Sequence, residues 1–215
     1  MMGAGRTELL ECLFGLHGRA CCGDVTIGGC RAVLRTPAQA IAQGLALAPE
    51  DRKRDGLVLS MSVAENASLA SLDRAVHFGL IHGRAEREHV QGYLERFHVK
   101  TPSLRQTIRN LSGGNQQKVI LAKWLATGPR VLLLDEPTRG IDVQAKEEIY
   151  ALITELTSDG LAVVAVSSEL PEILAVSDRI LVLCEGRPTA EFARSEATEE
   201  KIMHAALPRK AASLC

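Results

Sequence analysis

Short apolar runs alternate along this chain with segments whose apolar positions recur every three to four residues. Residues 45–48, 131–134, 161–166 and 180–183 are nearly all aliphatic or alanine. Such runs suit strands covered on both faces of a sheet. Between them, residues 142–157 carry Ile149, Leu152, Ile153 and Leu156 at helical spacing. Strands alternating with helix-period segments predict an α/β fold with a mostly parallel sheet.

Local signals sharpen the boundaries. Ser158-Asp159-Gly160 ends the 142–157 helix, with glycine free to take the left-handed terminal conformation. Thr36-Pro37 reads as N-cap and first-turn proline of a short helix running to Gln43. Residues 62–98 differ in texture: 62–72 and 83–99 read as helices with no apolar strand between them, the second carrying Val90, Leu94 and Phe97 on one side. This predicts a helical subdomain inserted into the α/β core, extending over 62–110 up to the glycine pair described below. After Gly186 come a possible last strand, a helix over 198–207 and a polar end. No internal repeat or low-complexity tract is present.

Composition narrows the class. A chain of 215 residues with 46% hydrophobic content can bury one good core, so residues 1–215 are expected to form a single domain. A net charge of −1 supplies no basic field for nucleic acid or anionic lipid, and 3% aromatic residues supply no stacking platform for single strands. No nucleic-acid partner is therefore expected. No apolar run approaches the roughly 20 residues that span a bilayer, and the start lacks a signal-peptide pattern. Any membrane pore this protein serves must be another chain. The six cysteines show no CxxC spacing, so free thiols are expected rather than disulfides or a metal site. The six scattered histidines read as surface residues.

Residues 111–142 hold the most specific chemistry. Leu111-Ser112-Gly113-Gly114-Asn115-Gln116-Gln117 places two glycines at the start of a helix running to about Ala126, with Leu121, Trp124 and Leu125 facing the core. Ser112 can cap that helix, and the glycines leave its positive end uncovered for a phosphate. The run 131–134 then ends in Asp135 and Glu136, adjacent carboxylates at the C-terminal edge of a strand, where ligands sit in open α/β sheets. Pro137-Thr138 and Gly140-Ile141-Asp142 follow. Near the start, Gly3-Ala4-Gly5-Arg6-Thr7 precedes Glu8 and an amphipathic helix closed by Gly15. That order resembles the back half of a P-loop, whose glycines turn backbone N–H groups toward phosphate oxygens. Taken alone, each segment also reads as an ordinary turn before a helix or after a strand.

Together and in this order, these segments resemble the P-loop, signature motif, Walker B motif and D-loop of an ATP-binding-cassette ATPase. The resemblance implies a P-loop NTPase-like nucleotide-binding domain that binds ATP and Mg²⁺. Gly3, Ala4, Gly5, Arg6, Thr7 and Glu8 would bind the nucleotide. Thr7 and Asp135 would hold the metal, and Glu136 would polarise the attacking water. Ser112, Gly113, Gly114, Gln116 and Asp142 would face ATP held by a second cassette, and Ser168 stands at the family's switch-histidine position. Three positions depart from the pattern: Arg6 replaces lysine, Ser168 replaces histidine, and Pro49 stands where a glutamine is expected. Arginine is a planar fork and need not fit a slot shaped for an ammonium.

With GAGRTELL, LSGGNQQK, SSELPEIL and the charged run 49–57, the chain is similar to the second cassette of tandem ATPases in bacterial ribose-, galactose- and xylose-type importers. This implies ATP hydrolysis coupled to sugar transport, with this chain's own site degenerate. It also implies a pairing cassette, transmembrane permease subunits, a periplasmic sugar-binding protein and a peripheral location on the cytoplasmic face of the inner membrane. A non-hydrolytic pseudo-cassette that only pairs or regulates is the alternative. A soluble cassette ATPase acting in translation or DNA repair is a third. The first glycine of the P-loop pattern would fall one position before Met1 and no feeding strand precedes it, so a fragment, a split gene or a misplaced start is expected.

Overall fold

The computed structural model describes residues 5–77 and 79–207. Helix α1 (Arg6–Leu13) leads into a hairpin of β1 (Val25–Ile27) and β2 (Cys30–Ala32), then α2 (Pro37–Ala42) and β3 (Leu45–Ala48). Next come α3 (Val63–Ser68), a second hairpin of β4 (Val76–His77) and β5 (Leu80–Ile81), α4 (Gly83–Arg96) and α5 (Gly113–Leu125). The remainder is β6 (Val131–Asp135), α6 (Val143–Ser158), β7 (Ala162–Val166), α7 (Leu170–Val176), β8 (Arg179–Cys184), β9 (Arg187–Ala193) and α8 (Glu199–Ala206).

A parallel sheet in the order β3-β6-β7 forms the centre, with Ala46 opposite Leu132 and Leu133 opposite Val164. Leu132, Leu133 and Leu134 are buried against Ile120, Leu121 and Ile149 in the main core. Each such aliphatic side chain contributes roughly 1.5–3 kcal/mol by leaving water. The apolar run fixes β6 because both its faces must be covered, and its last residue, Asp135, is carried into the site on the strand's end.

Caps set the helices as their sequences suggest. Thr36 Oγ1 accepts the Gln39 N–H at 3.2 Å, and Ser62 and Glu65 form a reciprocal capping box at the start of α3. Helix α4 stops at a left-handed His98 (φ 48°), where the Val99 N–H returns to the Leu94 carbonyl at 3.0 Å. No helix among the described residues is long and apolar enough to cross a membrane.

Several expectations are corrected. The run 180–183 does not join the parallel sheet: β8 pairs antiparallel with β9. Its side chains alternate, Ile180 and Val182 packing on a small second core with Ala197 and Ile202 while Leu181 is exposed, as one-sided strands do. Strand β7 is also not covered on both faces, since Val164 is 42% exposed. The predicted 62–72 helix breaks after Ser68 into a tighter turn with Ser71 off helical geometry (φ −129°, ψ 25°), and the β4–β5 hairpin follows.

The expectation of free thiols fails for one pair, because Cys12 and Cys21 are disulfide-bonded. Gly15 (φ 81°) turns the chain back after α1, and the Gly18–Ala20 turn returns Cys21 to within 5.8 Å of Cys12, Cα to Cα. That separation is within bridging range. Cys22 and Cys30 are exposed thiols, and Cys184 is a half-buried one.

Candidate functional site

Gly3 and Ala4 lie outside the described residues. Gly5 takes the left-handed conformation (φ 81°) and its carbonyl accepts the Leu9 N–H at 3.1 Å, so the chain enters α1 directly. A side chain at Gly5 would be strained there. Arg6 and Thr7 therefore occupy the first turn of α1, with Glu8 exposed beside them.

That turn sits against the ends of β6 and β7. The Thr7 hydroxyl hydrogen-bonds the Asp135 carboxylate, which is buried. Burial raises the Asp135 pKa above the usual carboxylate value, and the Thr7 hydrogen bond partly opposes that rise. Asp135 Oδ1 has no hydrogen-bond partner. An orphaned buried carboxylate oxygen beside a hydroxyl is a hard-oxygen donor set, and it fits Mg²⁺.

Arg6 Nη1 donates to the Ser167 carbonyl at 2.6 Å, and its Nη2 lies 3.9 Å from Glu136 Oε1. Ser168 Oγ donates to the other oxygen, Oε2, at 3.1 Å. Glu136 itself has φ 47°, held by its N–H donating to the Val166 carbonyl at 2.9 Å. A non-glycine residue in this region is uncommon. The structure thus gathers Arg6, Thr7, Asp135, Glu136 and Ser168 around two carboxylates.

A second group forms at the start of α5. Ser112, exposed, accepts from the Asn115 backbone N–H at 3.5 Å and from Asn115 Nδ2 at 2.9 Å. Gly114 is required by close packing, whereas Gly113 lies against the movable end of Arg52. A Cβ on Gly114 would lie 2.6 Å from the Ala145 Cβ, and one on Gly113 2.7 Å from Arg52 Nη2. Asp142 caps α6, its Oδ1 accepting the Ala145 N–H at 2.9 Å. Gln116 points inward instead: it is buried, and its Nε2 donates to the Ile108 and Leu111 carbonyls, each at 3.2 Å. That ties the loop before α5 to the helix.

Arg52 is a residue that sequence reasoning missed. Its guanidinium donates to the carbonyls of Arg139 (2.7 Å) and Gly140 (3.1 Å) while lying against Gly113. Asp51 sets it there by accepting the Lys53 and Arg54 N–H groups at 3.0 and 3.1 Å, and Glu50 pairs with Arg139. The charged run 49–57 was the available signal, but it reads equally as a solvated turn. Pro49, at the expected glutamine position, carries no side-chain amide.

Comparisons with known proteins agree with this geometry. Residues 2–139 match the family described as ABC transporter. The chain is 70% identical over its whole length to the ribose import ATP-binding protein RbsA of Rhodopirellula baltica, covering 42% of that protein. It is 52% identical over 94% of its length to the xylose import ATP-binding protein XylG of Moorella thermoacetica, covering 40% of it. The chain thus spans about two fifths of the length of these relatives. In fold it is similar to a nucleotide-free ATP-binding cassette from an ABC transporter (TM-score 0.77, 18% identity, covering 97% of this chain and 86% of that one). It is also similar to a dimeric cassette in a post-hydrolysis state bound to ADP and Pi (TM-score 0.74, 22% identity, covering 90% and 82%). The match covers more than half of the chain, so the chain belongs to the ABC transporter family, as an ATP-binding domain.

Proposed function

We propose that the chain is the ATP-binding and ATP-hydrolysing part of a monosaccharide importer, working as one half of a cassette pair. The observation that carries this is the packing of the α1 first turn against the β6 end, Thr7 on Asp135 and Arg6 beside Glu136. The names of the ribose- and xylose-import relatives supply the transported class. The partners are a second cassette, transmembrane permease subunits and, through them, a periplasmic sugar-binding protein. The location is the cytoplasmic face of the inner membrane.

In this reading Thr7 and Asp135 hold Mg²⁺, which when bound neutralises phosphate charge. Arg6 and the α1 N-terminus grip the phosphates, and Glu136 orients the water. Arg6 divides its fork between the Ser167 carbonyl and Glu136, and Ser168 brings no positive charge. This site therefore binds nucleotide more readily than it hydrolyses it. The exposed Ser112 with Gly113 and Gly114 is lent to ATP on the partner cassette, and Asp142 lines the same junction. The whole chain 1–215 acts as one nucleotide-binding domain, with 62–110 as its helical part.

The rival reading is a pseudo-cassette that pairs without hydrolysing, and the substitutions at Arg6 and Ser168 favour it. Purified chain is tested for Mg·ATP turnover beside its Glu136→Gln variant. Turnover that the variant abolishes supports the proposal. Binding without turnover at this site, both in the chain alone and in its complex with a second cassette, supports the rival.

A further inference from the structure

Glu172, within the SSELPEIL run and in the first turn of α7, is a buried carboxylate to which the site above gives no role. An ionised carboxylate in a core is costly unless hydrogen-bonded. Here three hydroxyls converge on it: Thr138 Oγ1 and Tyr150 Oη on Oε1, the latter at 2.6 Å, and Ser167 Oγ on Oε2. Burial, then the hydrogen bond to Glu172, raises the Tyr150 pKa above its ordinary value, so Tyr150 stays a donor.

Two of these hydroxyls belong to the segments that flank Glu136. Thr138 lies two residues beyond Glu136, inside the turn closed by the Arg139 N–H on the Glu136 carbonyl at 3.1 Å. Ser167 offers its carbonyl to Arg6 and immediately precedes Ser168, whose hydroxyl donates to Glu136 Oε2. One carboxylate thus ties down both the turn that carries Glu136 and the strand end that hydrogen-bonds it. Tyr150 anchors the same carboxylate to α6.

We infer that Glu172 is a positioning residue for ATP hydrolysis, holding Glu136 in place through Thr138 and Ser167. This rests on the reading of Arg6, Thr7, Asp135 and Glu136 as a nucleotide site. Glu172 is buried on Thr138, Tyr150 and Ser167, so it acts on the orientation of the site groups through them. Its loss therefore lowers the rate of the chemical step and leaves phosphate gripping by Arg6 and the α1 N-terminus largely intact.

The test is single-turnover hydrolysis of Mg·ATP by the full chain, with the Kd for a fluorescent ATP analogue and the thermal midpoint measured alongside. Glu172→Gln keeps side-chain size but offers one acceptor oxygen where three hydroxyls now donate to two. It is expected to slow the step about tenfold while the Kd stays within about twofold, the split expected when only transition-state interactions are lost. Thr138→Val, which removes one hydroxyl without changing shape, is expected to do the same, and Thr138→Ser to retain the wild-type rate. An unchanged rate in Glu172→Gln overturns the inference. So does a parallel fall of rate, affinity and midpoint that Thr138→Ser shares, which would make Glu172 a fold residue only. A wild-type chain that binds without turning over also overturns it, while one that does not bind refutes the nucleotide-site reading itself.

Discussion

Ser168 donates its hydroxyl to Glu136, Oγ to Oε2 at 3.1 Å, at the position where related cassettes are expected to carry a histidine. A serine can orient the carboxylate but brings no positive charge to developing phosphate charge. Removing one charge-stabilising donor in enzymes commonly costs 10²–10³ in rate, so restoring one should be visible. Ser168→His is expected to raise turnover at this chain's own site by at least about tenfold. Single-turnover hydrolysis of Mg·ATP checks this, and an unchanged rate would locate the limitation elsewhere.

Gly114, at the start of α5, should respond to packing, not to flexibility. Gly114→Ala drives a Cβ to 2.6 Å from the Ala145 Cβ on α6 and is expected to cost about 1–3 kcal/mol in urea unfolding. Gly92, inside α4, faces open space, so Gly92→Ala should stabilise by about 0.5–1 kcal/mol through helix propensity alone. Equal effects from the two substitutions would contradict this account of the α5–α6 approach.

Lys123 makes stability depend on pH in the alkaline range. It is buried, its Nζ donates to the Gly56 carbonyl at 2.7 Å, and burial lowers its pKa from 10.5 to about 8. Between those values the unfolded chain binds more protons than the folded one, so stability from this residue rises with pH. Below about 8 both states are protonated and the full cost is present. Wild type should therefore gain on Lys123→Met as pH rises from 7 to 10, by up to about 3 kcal/mol, read from denaturant midpoints at each pH. A constant difference would mean that the ammonium stays solvated.

The Cys12–Cys21 bridge closes a short loop at the far end of the helix that begins with Arg6 and Thr7. Loop-closure entropy for a loop this size gives about 2–3 kcal/mol. Adding dithiothreitol should lower stability by that amount, and Cys12→Ser should match reduced wild type and no longer respond. If reduction leaves the unfolding midpoint unchanged, the bridge contributes nothing to the fold.

Much of this architecture was legible because its signals are local. The apolar runs at 45–48 and 131–134 became β3 and β6, and Thr36, Ser112 and Asp142 cap the helices they precede. Thr7, Asp135, Glu136 and Ser168 could be placed by motif because each stands next to a strand or helix end. What escaped depends on partners distant in sequence or on turns with no periodicity. Arg52 finds its carbonyl partners only at Arg139 and Gly140, and Glu172 finds Thr138 and Tyr150 only once α6 and α7 pack together. The two-residue β4–β5 hairpin is too short to alternate, and the β8–β9 pairing hid inside an apolar run whose Leu181 nonetheless faces solvent. The Cys12–Cys21 contact hinges on a left-handed Gly15, which spacing between cysteines does not encode.

In the function proposed above, this chain contributes more through the exposed Ser112 end of α5 than through its own carboxylates. The most direct measurement is steady-state ATP turnover by the complete cassette pair, comparing Ser112→Ala with Glu136→Gln, with pairing verified for each. The larger loss is expected from Ser112→Ala, because it disables ATP held by the partner, while Glu136→Gln removes only the slower site. Equal losses, or a larger loss from Glu136→Gln, would contradict it.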